Sequence, residues 1–133
     1  MISLRPSIRP GEAGSAPAEF VMVAVLLVTL VLGVLQLGAV LLVRNTALDA
    51  AAEGARWAAL AGNSPDDGVQ RARSELSVAL GADYAQHVQA ATTTWQGRPV
   101  VAVTVTAPLP ILGPIGLPGA LQLTGHAAVE PAP

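Results

Sequence analysis

FVMVAVLLVTLVLGVLQLGAVLLV, from Phe20 to Val43, is a run of 24 residues without a charge, and its only polar side chains are Thr29 and Gln36. A helix of that length reaches about 36 Å at about 1.5 Å per residue, against a bilayer hydrocarbon core of about 30 Å. Its 17 Leu, Val and Phe residues each contribute about −0.3 to −0.6 kcal/mol on the insertion scale, roughly −5 to −10 kcal/mol together. One glutamine and two glycines do not reverse that sign. Burial in a globular core is the competing account, but a chain of 133 residues leaves too little sequence to wrap such a helix on every side. A single-pass anchor over residues 20–43 is therefore expected, with membrane lipid as its partner.

The flanks orient it. Arg5, Arg9 and the terminal amine precede the run, offset by Glu12 and Glu19, and Arg44 is the one basic residue directly after it. This slight bias favours an inside N-terminus and puts residues 44–133 outside. Only 12% of the chain is charged, about half the usual share, and the apolar run accounts for most of the hydrophobic surplus. All seven basic residues are arginines, outnumbered by nine acids, so no basic footprint for nucleic acid exists. The absence of cysteine excludes a disulfide scaffold, a thiolate metal site and a cysteine nucleophile. A removable signal peptide is also a poor reading, because its core spans about 7 to 15 residues and a small-residue cleavage site follows it. Here helix-forming RNTALDAAAEGARWAALAG follows instead.

Upstream, GSAPAEF (Gly14–Phe20) places a lone carboxylate, Glu19, against the start of the run. One account puts Glu19 in the first helical turn, where the helix dipole favours an acid by about 0.3 to 1 kcal/mol. The other starts from spacing: a cut after Gly14 would leave the new amine of Ser15 four residues before Glu19. With AAAEGARWAA downstream (Ala50–Ala59), the pattern resembles the TadE-like pseudopilins of the Tad (Flp) branch of type IV pilus machinery. The resemblance covers about the first 60 residues. It implies a prepilin peptidase cutting after Gly14, with Ser15 to Ala18, Glu19 and Phe20 completing its motif. It also maps a second family signature onto Glu53, Gly54, Ala55 and Arg56. Its further implications are a leader over residues 1–14, a pilin-like α+β fold, the bacterial cytoplasmic membrane as location, and other pilin or pseudopilin subunits as partners through the N-terminal helix. Within that helix Thr29 and Gly33 form a small-x-x-x-small pair able to seat a neighbouring helix, which Gln36 would then face.

Beyond the run, Leu48, Ala51, Ala52, Ala55, Ala58 and Ala59 recur at helical spacing, extending one helix from about Ala18 to Leu60 within an N-terminal segment of residues 15–61. Glu53 and Arg56 are spaced to pair on its exposed face, and Trp57 is either core or contact surface. Ser64 can cap a second helix with Pro65 in its first turn and Asp66 and Asp67 complementing its dipole. Val69, Ala72, Leu76, Ala79 and Leu80 form its apolar stripe, and Gly81 suits its end. His87–Trp95 and Pro99–Ala107 then alternate as two strands around a Gln96-Gly97-Arg98 turn, with Val101, Val103 and Val105 on one face. PLPILGPIGLPG (108–119) excludes helix and central strand and is either a loop over the sheet edge or membrane, or a partner surface. Ala120–Glu130 offers a third strand. The expected whole is α+β: an anchor helix continuing into a small domain, residues 62–133, with one further helix and a three-stranded antiparallel sheet.

No chemistry-bearing constellation emerges. His87 and His126 are far apart with no acid at ligand spacing, the serines lack a nucleophile-elbow context, and the glycines form no phosphate loop. The sequence reads as a structural subunit without catalytic residues, metal, cofactor or small-molecule substrate. An anchored accessory module that never enters a filament is the alternative.

Overall fold

The computed structural model describes residues 3, 14–110 and 119–131. The elements run α1 (Ser15–Ala59), α2 (Pro65–Ala79), a 3₁₀ turn (Ala82–Ala85), β1 (Val88–Trp95), β2 (Arg98–Pro108) and β3 (Ala120–Ala128). The expected α+β architecture is thus what the chain adopts. Contacts divide it into two units, Met1–Leu35 and Gln36–Pro133.

In the first unit α1 begins at Ser15, a turn earlier than Ala18 suggested. Pro17 does not obstruct this, because an N–H in the first helical turn has no intrahelical acceptor to lose. The consequence falls on Glu19: the first turn contains no acid, so the dipole account of this carboxylate loses its basis, since that effect fades beyond one turn. Further on, Val25, Leu26, Leu27 and Val28 circle a full turn and are 58–71% exposed. Among the described residues none covers a face of this stretch, and α1 is the one helix among them long and apolar enough to cross a membrane.

In the second unit the rest of α1 and α2 pack against one face of the sheet, whose order is β1-β2-β3 with both pairings antiparallel. Gln96 (φ 50°) and Gly97 (φ 76°) make the two-residue hairpin turn, whose left-handed residues match the strand twist. Val101, Val103, Val105 and Ala107 of β2 are 0–3% exposed and form the core with Leu76 of α2. The opposite sheet face is open, and there the Thr104 and Thr124 hydroxyls meet at 3.0 Å. On that face Val100 is still buried; Trp95 and His126, with ring centroids 6.4 Å apart, stand beside it.

The helical contribution to this core is almost all alanine and glycine. The buried stripe of α1 is Val43, Ala47, Ala50, Ala51, Gly54, Ala55, Ala58 and Ala59. Ala51, Ala55, Ala58 and Ala59 match expectation, but Leu48 is exposed and Ala52 only half-buried. In α2, Ala79 is exposed rather than core, while Gly68 is buried. The shift at Leu48 has a physical cause: helix and sheet approach so closely along α1 that small residues occupy the contact line and the larger leucine is displaced to its flank. β3 ends at Ala128, short of Glu130, whose backbone N–H instead donates to the Ala59 carbonyl at 2.9 Å and ties down the end of α1.

Ser64 caps α2 as expected. Its backbone N–H (2.7 Å) and hydroxyl (2.8 Å) donate to an Asp67 carboxylate oxygen, and the Asp67 N–H returns a bond to the hydroxyl at 3.3 Å. The backbone bond, then the hydroxyl bond, hold the Asp67 carboxyl below the usual carboxylate range. A lowered folded-state pKa gives stability that is present above the unfolded value near 4 and is lost as pH falls through the folded one. Asp67→Asn should therefore flatten the acid side of the domain's melting-versus-pH curve. Ser64→Ala should cost about 1 kcal/mol at neutral pH in urea unfolding.

Candidate functional site

Two groups of residues on α1 carry the resemblance, one in each unit. The first begins at Gly14, which is exposed, lies in the turn directly before the helix and has no atom within 4 Å of a Cβ built there. Ser15 opens the helix, and Glu19 follows one turn on, so both fall on one face. Glu19 and Phe20 are exposed, Phe20 by 74%. The boundary between turn and helix thus coincides with the Gly14–Ser15 bond.

Thr29 and Gly33 share a face farther along α1. The Thr29 hydroxyl donates to the Val25 carbonyl at 2.8 Å, which satisfies it without a partner helix, and a Cβ at Gly33 would meet nothing within 4 Å. Gln36 behaves differently from expectation: its side-chain amide donates to the Pro110 carbonyl within the chain rather than being left for a neighbour.

The second group, Glu53-Gly54-Ala55-Arg56, sits where α1 crosses α2, and each residue has a distinct task. A Cβ at Gly54 would lie 2.7 Å from the Gly68 carbonyl oxygen and 3.0 Å from the Ala72 Cβ. A Cβ at Gly68 would lie 2.5 Å from the Gly54 carbonyl oxygen, so the backbones touch through paired glycines. Ala55 is fully buried beside them. Glu53 accepts from Arg56 at 2.9 Å and lies 3.7 Å from Arg71 of α2, which also pairs with Glu75 at 3.3 Å. Arg71 further lies over the Trp57 ring, 5.3 Å from its centroid. Spacing anticipated the Glu53–Arg56 pair; the link to α2 and the role of Gly54 were not foreseen. Trp57, 42% exposed, belongs to this surface cluster and not to the core. Such exposed pairs contribute about 0.2–1 kcal/mol each, so the network orients α2 while the glycines set its distance.

His87 is level with Thr106 on β2, and His126 pairs with Ala102, so the sheet does not bring them together. Among the described residues no three His, Asp or Glu side chains gather at metal-ligand spacing. Searches of curated proteins and of solved structures give no match to the chain. Residues 14–56, bounded by Gly14 of the first motif and Arg56 of the second, match the model of the TadE-like protein family, so the likeness lies in the helix that carries both motifs.

Proposed function

We propose that this chain is a membrane-anchored, minor pseudopilin-like structural subunit of a Tad-type pilus or secretion system, cut by a prepilin peptidase after Gly14. The TadE-like match implies a part in Tad pilus assembly; cleavage and subunit role go beyond it. The observation that carries the reading is the start of α1. An exposed Gly14 sits in a turn and the helix begins with the next residue, so the bond is accessible before cutting, and afterwards the new amine of Ser15 opens the anchor helix itself.

The carboxylate of Glu19 then acquires a partner, the Ser15 amine of its own or an adjacent subunit, and the pair sets axial register in an assembly. An isolated carboxylate at mid-membrane depth costs about 2.5–3.5 kcal/mol, which favours packing beside a partner charge over lipid alone. The Thr29–Gly33 face supplies close approach of the helices. The outside domain and a cytoplasmic N-terminus follow from the charge bias of the flanks, and the role is assembly rather than catalysis.

Intact mass of the protein purified from membranes of its host tests the cut. The expected chain begins at Ser15. A chain beginning at Met1, or cut after Ala18, would sink the peptidase assignment and leave an anchored accessory module.

A further inference from the structure

The charge-free run ends at Val43, but the second unit covers α1 from Gln36 onward. Gln36, Ala39 and Val40 are half-buried and Val43 is 4% exposed, while Leu37, Leu41 and Leu42 on the other side stay open. For eight residues, about 12 Å of helix, the domain therefore lies alongside apolar helix surface. The part left for lipid alone is Phe20–Leu35, about 24 Å long, some 6 Å short of a hydrocarbon core of about 30 Å. Either the bilayer thins by that amount, at a fraction of a kcal/mol per Å, or the end of the domain beside Gln36 enters the membrane surface.

The composition of that end favours entry. No Asp, Glu, Lys or Arg occurs from Pro99 to Val129, and the charge that shares a cavity with Pro108 and Gly119 is Asp83 of the 3₁₀ turn, so entry carries the end of the domain only as deep as leaves that carboxylate at the water side. Of residues 108–119, positions 111–118 lie outside the described residues, but the whole stretch is charge-free and carries four prolines. Of these, Pro108 and Pro110 are described, and neither has an N–H to leave unpaired, which lowers the cost of placing them in a water-poor environment. The described contact fits the same environment: the Gln36 amide donates to the Pro110 carbonyl, pairing a donor and an acceptor that would each be costly alone in a dry place.

We propose that the end of the domain formed by Leu109 and Pro110, beside Gln36 of α1, is a lipid-contacting surface that seats in the headgroup region and upper acyl chains. This rests on the membrane-anchor reading of α1. The absence of cysteine makes the test direct. Single variants Leu109→Cys, Ala120→Cys, Val28→Cys and Thr93→Cys of the full chain are spin-labelled and placed at low density in phosphatidylcholine vesicles. Collision with oxygen, which concentrates in lipid, is compared with collision with a water-soluble nickel chelate.

Val28 marks the span. Thr93 marks the hairpin end of the sheet, far along β2 from Pro108, and Ala120, the strand partner of Pro108, repeats the reading without altering Leu109. Labels at positions 109 and 120 should resemble the one at 28, with oxygen collisions several-fold above nickel, while that at 93 shows the reverse. Nickel access at 109 and 120 equal to that at 93, with 28 still in lipid, overturns the lipid surface and spares the anchor. Shielding of 109 and 120 from both reagents also overturns it, in favour of cover by another protein chain. A label at 28 open to nickel overturns the anchor reading itself.

Discussion

Gly125→Val should lower the unfolding midpoint of the domain by roughly 12–24 °C, the largest stability effect expected from any single change in the sheet. Gly125 faces inward on β3 opposite Val103. A Cβ there would fall 2.5 Å from both the Ala51 carbonyl carbon and the Ala52 nitrogen, and 2.6 Å from the Ala52 Cα. These are backbone atoms of a helix and cannot rotate aside as a side-chain tip would. Restoring ordinary contact of about 3.5–4.0 Å requires strand and helix to separate by more than 1 Å. That would loosen the contacts of Ala47, Ala50, Ala51 and Ala55 with the core valines, all of them 0–3% exposed. Overpacking typically costs about 1–3 kcal/mol, and the rigidity of both partners puts this case near 3; for a unit of this size each kcal/mol moves the midpoint by about 4–8 °C. Near-UV circular dichroism of the detergent-solubilised chain, which sees Trp57 and Trp95, measures it. Gly33→Val, at a position with open space around it, should leave the domain midpoint unchanged. A Gly125→Val midpoint within about 2 °C of the parent means that strand and helix do not meet there.

The same small-residue contacts explain which parts of the fold could be read in the sequence. The anchor, the second helix with its Ser64 cap and the valine face of β2 were legible, because each is a local pattern: an apolar run, a capping residue, an alternation. The contact line of α1 was legible only in part. Reading apolar periodicity gives weight to Leu48, whereas the line runs through Ala47, Ala50 and Gly54, since what matters there is how near the backbones come. Glycine carries no hydrophobic signal, so Gly54, Gly68 and Gly125 pass unnoticed until their partners are known. Glu53 could be paired with Arg56 along one helix, but its link to Arg71 depends on how α1 and α2 cross. Gln36 was assigned to a neighbouring helix because nothing in the sequence brings Pro110, 74 positions later, to its side.

Those long-range contacts also give the second motif a physical meaning. Glu53-Gly54-Ala55-Arg56 is an assembly instruction for the domain: the glycine admits α2, the alanine fills the narrow space beside it, and the charges fix α2 in rotation. The first motif has no such task. Gly14, Ser15, Glu19 and Phe20 are exposed and lie outside the core of the domain. One motif thus builds the domain, and on the proposed reading the other serves encounters outside it.

Glu19→Ala should therefore leave the subunit folded and inserted in the membrane while abolishing its incorporation, with at least a tenfold loss from the sheared surface fraction. Removing an exposed carboxylate from the start of an apolar run makes insertion easier, by up to about 2.5–3.5 kcal/mol if the group sits at mid-membrane depth, so membrane-bound protein should stay level or rise. In an assembly the sign reverses, because the Ser15 amine of the processed chain loses its counter-charge in a medium where an unpaired charge is expensive. Each tenfold loss corresponds to about 1.4 kcal/mol, well within what one such pair supplies. On the proposed reading Glu19 also belongs to the motif a peptidase would meet, so intact mass must show whether the variant chain begins at Ser15; loss of incorporation with processing retained isolates the pairing role. The double variant His87→Ala/His126→Ala is the counterpart, since those side chains lie on the domain and should leave incorporation at the parent level. Normal incorporation of processed Glu19→Ala would show that the carboxylate does not set register. Loss of incorporation in the histidine variant, with the domain still folded, would move the decisive contact from the anchor helix to the sheet.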